Sequence, residues 1–271
     1  MRLDVVLPNE AVSMPPAQLV DLARLAEKLG YGTAYLPDHV LPPDDYGATF
    51  GGVYEPIVTI AHLTASTTTL RFGTSVLVLP LRNPFVLAKQ VATVQQLSAD
   101  RIVLGVGTGW SPEEFVAVGA EYRRRGRDTD DALAVIGHLF TEGAGPYVGR
   151  RYGFEQGVFA PRPATPIPIL VGGNSDAALR RAAQFADSWQ GLPVPPAEYA
   201  ERVRALAALT GDRSVSPGVR IGWADDRPVE EVVLEVNDYR SAGAEHVAVH
   251  LGDWRNYPDR MTALATATRS A

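Results

Sequence analysis

Eight short apolar segments that alternate with amphipathic segments are the feature that most restricts the fold of this chain. The apolar segments lie near residues 3–8, 33–38, 70–80, 101–107, 167–171, 187–190, 217–223 and 245–251. Helical patterns follow them near 16–30, 56–67, 83–98, 112–141, 175–186, 196–209, 228–241 and 256–268. Alternation of this kind favours a parallel sheet buried on both faces, and eight units in about 250 residues favour a closed barrel. We therefore predict an α/β fold of the (β/α)8 TIM-barrel type, formed as a single domain over residues 1–271, with a small hairpin insertion near 147–161.

Composition excludes several classes of function. The net charge of −6 argues against a nucleic-acid partner, because phosphates select a basic surface. The chain has no cysteine, which excludes disulfides, thiolate zinc sites and cysteine nucleophiles. The opening residues "MRLDVVLP" resemble a first strand rather than a signal peptide, and no apolar stretch approaches the ~18 residues of a membrane span. We expect a cytoplasmic protein whose partner is a small molecule rather than a membrane.

The segment "LPDHVLPPDD" follows the second predicted strand, and the loops after the strands carry function in this fold. Asp38 and His39 would lie at the mouth of the barrel. A metal site with Asp44 and Asp45 is one interpretation, but no other histidine forms a ligand-spaced pair with His39, so we predict no metal. A neutral histidine can instead move a proton to or from a bound molecule near neutral pH. A purely structural cap remains the alternative.

Two glycine-rich turns follow the fourth and fifth predicted strands. The first, "GVGTGW" at 105–110, departs from a dinucleotide fingerprint because Trp110 replaces the last glycine and no acidic residue ends a strand about 20 residues later. Its glycines allow either close approach to a flat ligand, with Trp110 as a wall, or only a tight turn. The second, "VGGNS" at 171–175, precedes a helix. It suits either an anion at the helix N-terminus or a turn in which Asn174 or Ser175 caps the helix.

Polar residues also interrupt the third and last strands. Gly73, Thr74 and Ser75 break the apolar run at 72–80, which indicates a bulge or close approach of a ligand. In the last strand His246 and His250 are four residues apart and therefore share a face. His250 is nearer the functional rim, although a hydrogen-bonded structural histidine is the alternative.

Taken together, these stretches resemble the bacterial luciferase-like monooxygenase superfamily, most closely its branch dependent on the deazaflavin coenzyme F420. The resemblance rests on a few stretches in conserved order: "AEKLGYGTAYLPDHV", "LRFGTSVLVLPLRNPFVLAKQVATVQQLSADRIVLGVGTGWSPEEF", "RDTDDALAVIGHLF", "FAPRPATPIPILVGGNSDAALRRAAQFADSW" and "SAGAEHVAVHL". It implies an oxidoreductase, with relatives that are often homodimers. Two functions are implied: hydride transfer between F420 and a small organic substrate, or oxygenation by reduced FMN. Because a fold does not fix a function, flavin binding without catalysis is a third possibility.

The resemblance also assigns roles by position. It implies that Asp38 and His39 flank the cofactor ring and that a non-prolyl cis peptide bond at Ser75–Val76 lies against the ring. For hydride transfer we expect His39 to be the catalytic group, oriented by Asp38. Further cofactor contacts are implied at Thr74, Ser75, Val76, Gly107, Thr108 and Gly109, with the cofactor phosphate held by Gly172, Gly173, Asn174 and Ser175. The substrate side would be formed by Trp110, Trp189 and His250. Sugar-phosphate dehydrogenases of this branch have a glutamate directly after the G-T-G turn, whereas this chain has Trp110, which argues against a sugar-phosphate substrate.

Overall fold

The computed structural model describes residues 1–270, and its parallel strands close into a barrel. The strands are β1 (Arg2–Val6), β2 (Thr33–Leu36), β3 (Arg71–Thr74), β4 (Leu77–Val78), β5 (Ile102–Gly107), β6 (Tyr147–Val148), β7 (Gly153–Phe154), β8 (Ile169–Gly172), β9 (Ser188–Gly191), β10 (Ser216–Gly222) and β11 (His246–His250). Strands pair in the order β3-β2-β1-β11-β10-β9-β8-β5, and a β3–β5 pairing closes the ring. Because β4 continues β3 after a break and also pairs with β5, the barrel has eight strands. The predicted fold is confirmed.

Helices follow the barrel strands and form the outer layer. They are α1 (Pro16–Leu29), α2 (Gly47–Phe50), α3 (Pro56–Thr64), α4 (Pro84–Leu97), α5 (Pro112–Ala117), α6 (Arg125–Thr141), α7 (Asp176–Phe185), α8 (Pro196–Thr210), α9 (Val229–Ser241) and α10 (Tyr257–Ser270). Local sequence sets their ends: Asn83 caps α4 ahead of Pro84, and Gly30, at φ +76°, ends α1. The antiparallel pair β6–β7 forms the predicted hairpin between α6 and β8. None of the helices in the described residues is both long and apolar enough to cross a bilayer.

The apolar core divides into two parts. The larger part lies between the barrel and the helices. The smaller part fills the interior of the barrel and contains Val6, Tyr35, Val103, Leu170 and Ala248. Strand alternation explains the division, because successive side chains point to opposite faces of the sheet. Polar side chains replace this apolar filling toward the carboxyl ends of the strands, where a cleft opens.

Candidate active site

The cleft at the carboxyl ends of the strands has a volume of about 570 Å³, which suits a cofactor-sized ligand. Loops after several different strands contribute to it, as the barrel fold requires. Its lining residues are Pro37, Asp38, His39, Phe50, Ser75, Val76, Val78, Gly107, Thr108, Gly109, Trp110, Gly172, Gly173, Gln190, Leu192 and Arg220. The structure thus brings together most of the residues predicted from the sequence.

The break between β3 and β4 forms one wall of the cleft. The peptide bond between Ser75 and Val76 is cis, which confirms the expectation from the resemblance. Thr74, however, does not line the cleft. Its buried hydroxyl donates to the carbonyl oxygen of Gly105 at 2.5 Å and accepts from the Gly105 N–H at 3.1 Å. Thr74 therefore joins the interrupted strand to β5 instead of facing a ligand.

The glycines around this wall make room for protein side chains. A Cβ atom on Gly107 would lie 2.5 Å from Val76 Cγ2, and one on Gly172 would lie 2.7 Å from Val76 Cγ1. A Cβ on Gly109, at φ +75°, would lie 2.6 Å from Val78 Cγ1. Glycine is thus required at these positions because a larger residue would clash with Val76 or Val78. The glycines still line the cleft, which they border with bare backbone.

Asp38 holds the bulge in place. One carboxylate oxygen accepts from the N–H of Val78 at 2.8 Å, and the other lies 2.6 Å from Arg82, which also pairs with Glu55 at 2.6 Å. Burial raises the pKa of Asp38, while Arg82 and the Val78 amide act in the opposite direction. With both oxygens occupied in this way, Asp38 fixes the position of the strand beside the cleft.

His39 is oriented by Glu114, which corrects the expectation that Asp38 orients it. His39 Nδ1 lies 2.9 Å from Glu114 Oε2, and Glu114 Oε1 accepts from the N–H groups of Val40 at 2.8 Å and Leu41 at 3.0 Å. The Glu114 side chain is 3% exposed, so the pair is shielded from water. A carboxylate at Nδ1 favours a proton on that nitrogen, which leaves Nε2 as an acceptor. The sequence offered one signal, because Ser111 and Glu114 have the spacing of a helix capping box. Ser111 does cap α5, but the carboxylate reaches the neighbouring loop.

Aromatic rings enclose His39 on the open side of the cleft. The Phe50 ring stacks on the imidazole with centroids 4.5 Å apart, and the Trp110 ring meets its edge at 5.6 Å. Tyr46 contacts Trp110 at 4.7 Å. Trp110, predicted as a pocket wall, is 44% exposed and lines the cleft. Sequence reasoning missed Phe50, which lies in a long polar loop without a strand or helix pattern to place it.

The structure places Trp189 outside the cleft, contrary to expectation. Its side chain is fully buried between the barrel and α8, stacked on Tyr199, and its indole N–H donates to the carbonyl of Gly173 at 2.8 Å. The next residue, Gln190, points to the opposite face and lines the cleft. The alternation of strand side chains produces this exchange, and the pair of residues "WQ" gave no indication of which would face inward.

His250 also lies outside the residues that line the cleft. It ends β11, and its Nε2 lies 2.7 Å from Glu10 Oε1. The imidazole packs edge-on against Tyr257, with centroids 5.9 Å apart. The side chain is thus a hydrogen-bonded rim histidine, as the structural alternative supposed.

The turn after β8 reaches the cleft through its glycines. Gly172 and Gly173 line the cleft, and Gly173 has φ +116°. Ser175 caps α7 by accepting from the N–H of Ala178 at 3.2 Å. The Asn174 amide binds both the N–H and the carbonyl of Leu192, at 2.8 and 3.1 Å, and so ties this turn to the loop after β9. The tight-turn and anion-site interpretations are compatible here, because Ser175 satisfies one first-turn amide and leaves the others.

Comparison with known proteins identifies the family. The family model for luciferase-like monooxygenases matches residues 1–266. The chain belongs to that family. An uncharacterized protein of Mycobacterium tuberculosis is 38% identical over 211 residues, which cover 72% of this luciferase-like chain and 73% of the relative.

Two further comparisons are with proteins whose names state a dependence on F420. An F420-dependent glucose-6-phosphate dehydrogenase of Nakamurella multipartita is 33% identical over 178 residues, covering 64% of this chain and 51% of that protein. The solved structure of an F420-dependent secondary alcohol dehydrogenase, in complex with an F420-acetone adduct, superposes with a TM-score of 0.85. The alignment covers 99% of both chains at 16% identity, so it shows the fold alone.

Proposed function

We propose that the protein transfers a hydride between coenzyme F420 and a small organic substrate. The observation that carries the proposal is His39, held by Glu114 at the edge of the cleft, with Nε2 lacking a protein partner among the described residues. Hydride exchange with an alcohol or carbonyl compound needs a group that accepts or supplies a proton beside the reacting carbon. The F420-dependent dehydrogenase among the relatives supports this choice of cofactor.

The cleft fits such a cofactor. It contains a buried amide nitrogen, Gln190 Nε2, that has no partner within residues 1–270, and it has the volume expected for a ligand of this size. Val76 and the backbone of Gly107–Gly109 would contact the ring. Gly172, Gly173, Asn174 and Ser175 would hold the phosphate near the N-terminus of α7, where helix amides favour an anion. When bound, the cofactor would supply or accept the hydride.

The chain's own residues would position the substrate and move the proton. His39 Nε2 would accept a proton from an alcohol or return one to a carbonyl oxygen, while Glu114 keeps the ring in one tautomer. Phe50 and Trp110 would exclude water and offer an apolar face. This face favours a small apolar alcohol or ketone over a sugar phosphate, because the position of the expected glutamate is occupied by Trp110.

The proposal is tested by titrating the protein with F420 and FMN, oxidised and reduced, followed by anaerobic turnover with small alcohols and ketones. We expect F420 to bind more tightly and to exchange hydride without oxygen. Oxygen uptake with reduced FMN and no transfer to or from F420 would replace this proposal with a monooxygenase. Binding without turnover would identify a non-catalytic flavin-binding barrel.

The phosphate position has its own test. Ser175→Asp keeps a capping acceptor for α7 but adds a negative charge beside the phosphate, whereas Ser175→Asn keeps the cap without the charge. We expect the aspartate variant to weaken cofactor binding at least tenfold and the asparagine variant less than threefold, about 1.4 kcal/mol corresponding to tenfold. Equal affinities of the two variants would contradict the assignment.

A further inference from the structure

Two side chains at the floor of the cleft have donor groups for which the described part of the chain offers no acceptor. Arg220 on β10 and Gln190 on β9 both reach Ser75 across the barrel. The Arg220 guanidinium donates through Nη1 to the Ser75 carbonyl, and Gln190 Oε1 accepts from the Ser75 hydroxyl at 2.5 Å. Gln190 is 3% exposed, yet its Nε2 has no hydrogen-bond partner in the described part of the chain.

Arg220 is the one permanently cationic residue among the described residues that line the cleft. Within residues 1–270 it forms no ion pair. Glu10 lies close enough to influence it, but the Glu10 carboxylate is bonded to His250. Burial lowers the pKa of Arg220, as expected for a cation surrounded by protein without a carboxylate in contact. A cation in this position is costly unless something in the cleft supplies acceptors.

The surrounding strands leave room for a ligand at this point. The residue beside Arg220 in register on β11 is Ala248, whose small side chain belongs to the interior of the barrel. With Oε1 held by the Ser75 hydroxyl, the amide of Gln190 is fixed with its NH2 group as the remaining polar end. The two residues therefore present donors, one of them charged, and Ser75 anchors both.

We propose that Arg220 and Gln190 form a donor pair for the pyrimidinedione edge of the cofactor ring. This inference rests on the proposed function but holds for both candidate cofactors, because FMN and F420 share that edge with its two carbonyl oxygens. Negative charge spreads onto these oxygens when the ring ionises. A guanidinium with an adjacent amide NH2 suits a planar anionic acceptor of this kind. The pair would favour the ionised ring and so help to set the affinity for it.

The experiment uses two variants that alter the donors in different ways. Arg220→Met removes the charge and keeps most of the side-chain length. Gln190→Glu keeps an acceptor for the Ser75 hydroxyl but replaces the NH2 donor with a second oxygen. Arg204→Met, the same substitution at an exposed arginine on α8, serves as the control. Kd is measured by fluorescence for F420 and FMN, with thermal unfolding to verify that each variant is folded.

We expect Arg220→Met and Gln190→Glu each to raise the Kd of the tighter-bound cofactor at least tenfold, and the Kd of the control variant to stay within twofold of wild type. With FMN the ratio of oxidised to reduced Kd should also fall in Arg220→Met, because charge develops at this edge on reduction. Benzoate, a planar carboxylate, is titrated into cofactor-loaded protein as a second probe. Loss of benzoate binding with unchanged cofactor Kd would assign the pair to a substrate carboxylate and overturn the inference.

Failure of the inference and failure of the proposed function give different results. If wild type binds neither F420 nor FMN, the proposed function fails and takes the donor pair with it. If wild type binds a cofactor and both variants bind it within twofold as well, only the donor pair is wrong. If Arg220→Met does not fold, Gln190→Glu decides alone, since it is nearly isosteric and keeps its bond to Ser75.

Discussion

Replacing Glu114 with glutamine is expected to release the loop that carries His39. The buried carboxylate accepts three hydrogen bonds, from His39 Nδ1 and from the amides of Val40 and Leu41. Glutamine has one acceptor oxygen, so its NH2 group must face either the imidazole N–H or the two backbone donors. A hydrogen bond to a charged group contributes about 1.5–3 kcal/mol, and a buried donor left without an acceptor costs about 1–3 kcal/mol.

We therefore expect Glu114→Gln to lower the free energy of unfolding by about 2–4 kcal/mol, measured by urea denaturation. Glu113→Gln is the matched control. Glu113 is the preceding residue on α5 and is exposed. Among the described residues its carboxylate accepts a hydrogen bond only from the Ser111 hydroxyl, at 3.0 Å, so its loss should cost less than about 0.5 kcal/mol.

A second measurement separates orientation of the imidazole from general stability. Nitrogen-15 spectra of histidine-labelled protein in mildly alkaline buffer distinguish the two neutral tautomers, and His39→Asn identifies the His39 signals. We expect wild type and Glu113→Gln to show His39 protonated at Nδ1, and Glu114→Gln to show a mixture. The reasoning is refuted if Glu114→Gln unfolds like Glu113→Gln and its His39 signals match wild type.

Two further predictions concern residues away from the cleft. Burial would raise the pKa of Glu27, but hydrogen bonds from the amides of Thr69, Leu70 and Thr68 lower it to about 2 from 4.5, so its contribution to stability is present above pH 4.5 and is lost as the pH falls toward 2. Glu27→Gln should thus cost about 1–2 kcal/mol at neutral pH, after allowance for solvent at this partly exposed site, and the difference from wild type should shrink in acid denaturation curves; a constant difference would contradict it. Trp189→Phe should lower the free energy of unfolding by about 2–4 kcal/mol, because it leaves a gap beside Tyr199 and an unpaired Gly173 carbonyl. The control, Trp110→Phe at a half-exposed residue, should change it by less than about 1 kcal/mol. Similar denaturation midpoints for the two variants would show that the Trp189 indole does not stabilise the core.

The architecture was predictable because it depends on patterns that repeat along the chain. Eight buried strands and their helices follow from periodicity, and glycine, asparagine and serine mark the turns where the elements end. The cleft was predictable as far as it depends on the loops after the strands. Motifs pointed to His39, Ser75 and Gly107, and the family resemblance pointed to Val76; all four line the cleft.

Contacts between distant segments could not be predicted in the same way. The partner of His39 is 75 residues away, and Asp38, although adjacent in sequence, points to Arg82 and Val78. The choice between Trp189 and Gln190 depends on which face of β9 turns inward, and both faces of that strand are buried. Arg220 did carry a usable signal, since a charged residue in the middle of an apolar strand is rare unless it has a specific partner.

The two hydrogen bonds made by Trp189 and Gln190 on β9 restrict how the two ends of the cleft can change. On the outer face of β9 the Trp189 indole donates a hydrogen bond to the Gly173 carbonyl. On the inner face the side-chain amide of Gln190 accepts one from the Ser75 hydroxyl. This short strand thus connects the turn after β8, which is proposed to bind the phosphate, with the wall between β3 and β4, which is proposed to contact the ring. A substitution that shifted β9 along its axis would displace both contacts together. Adaptation to a ligand of different length therefore has to come from changes in the loops, with the position of β9 unchanged.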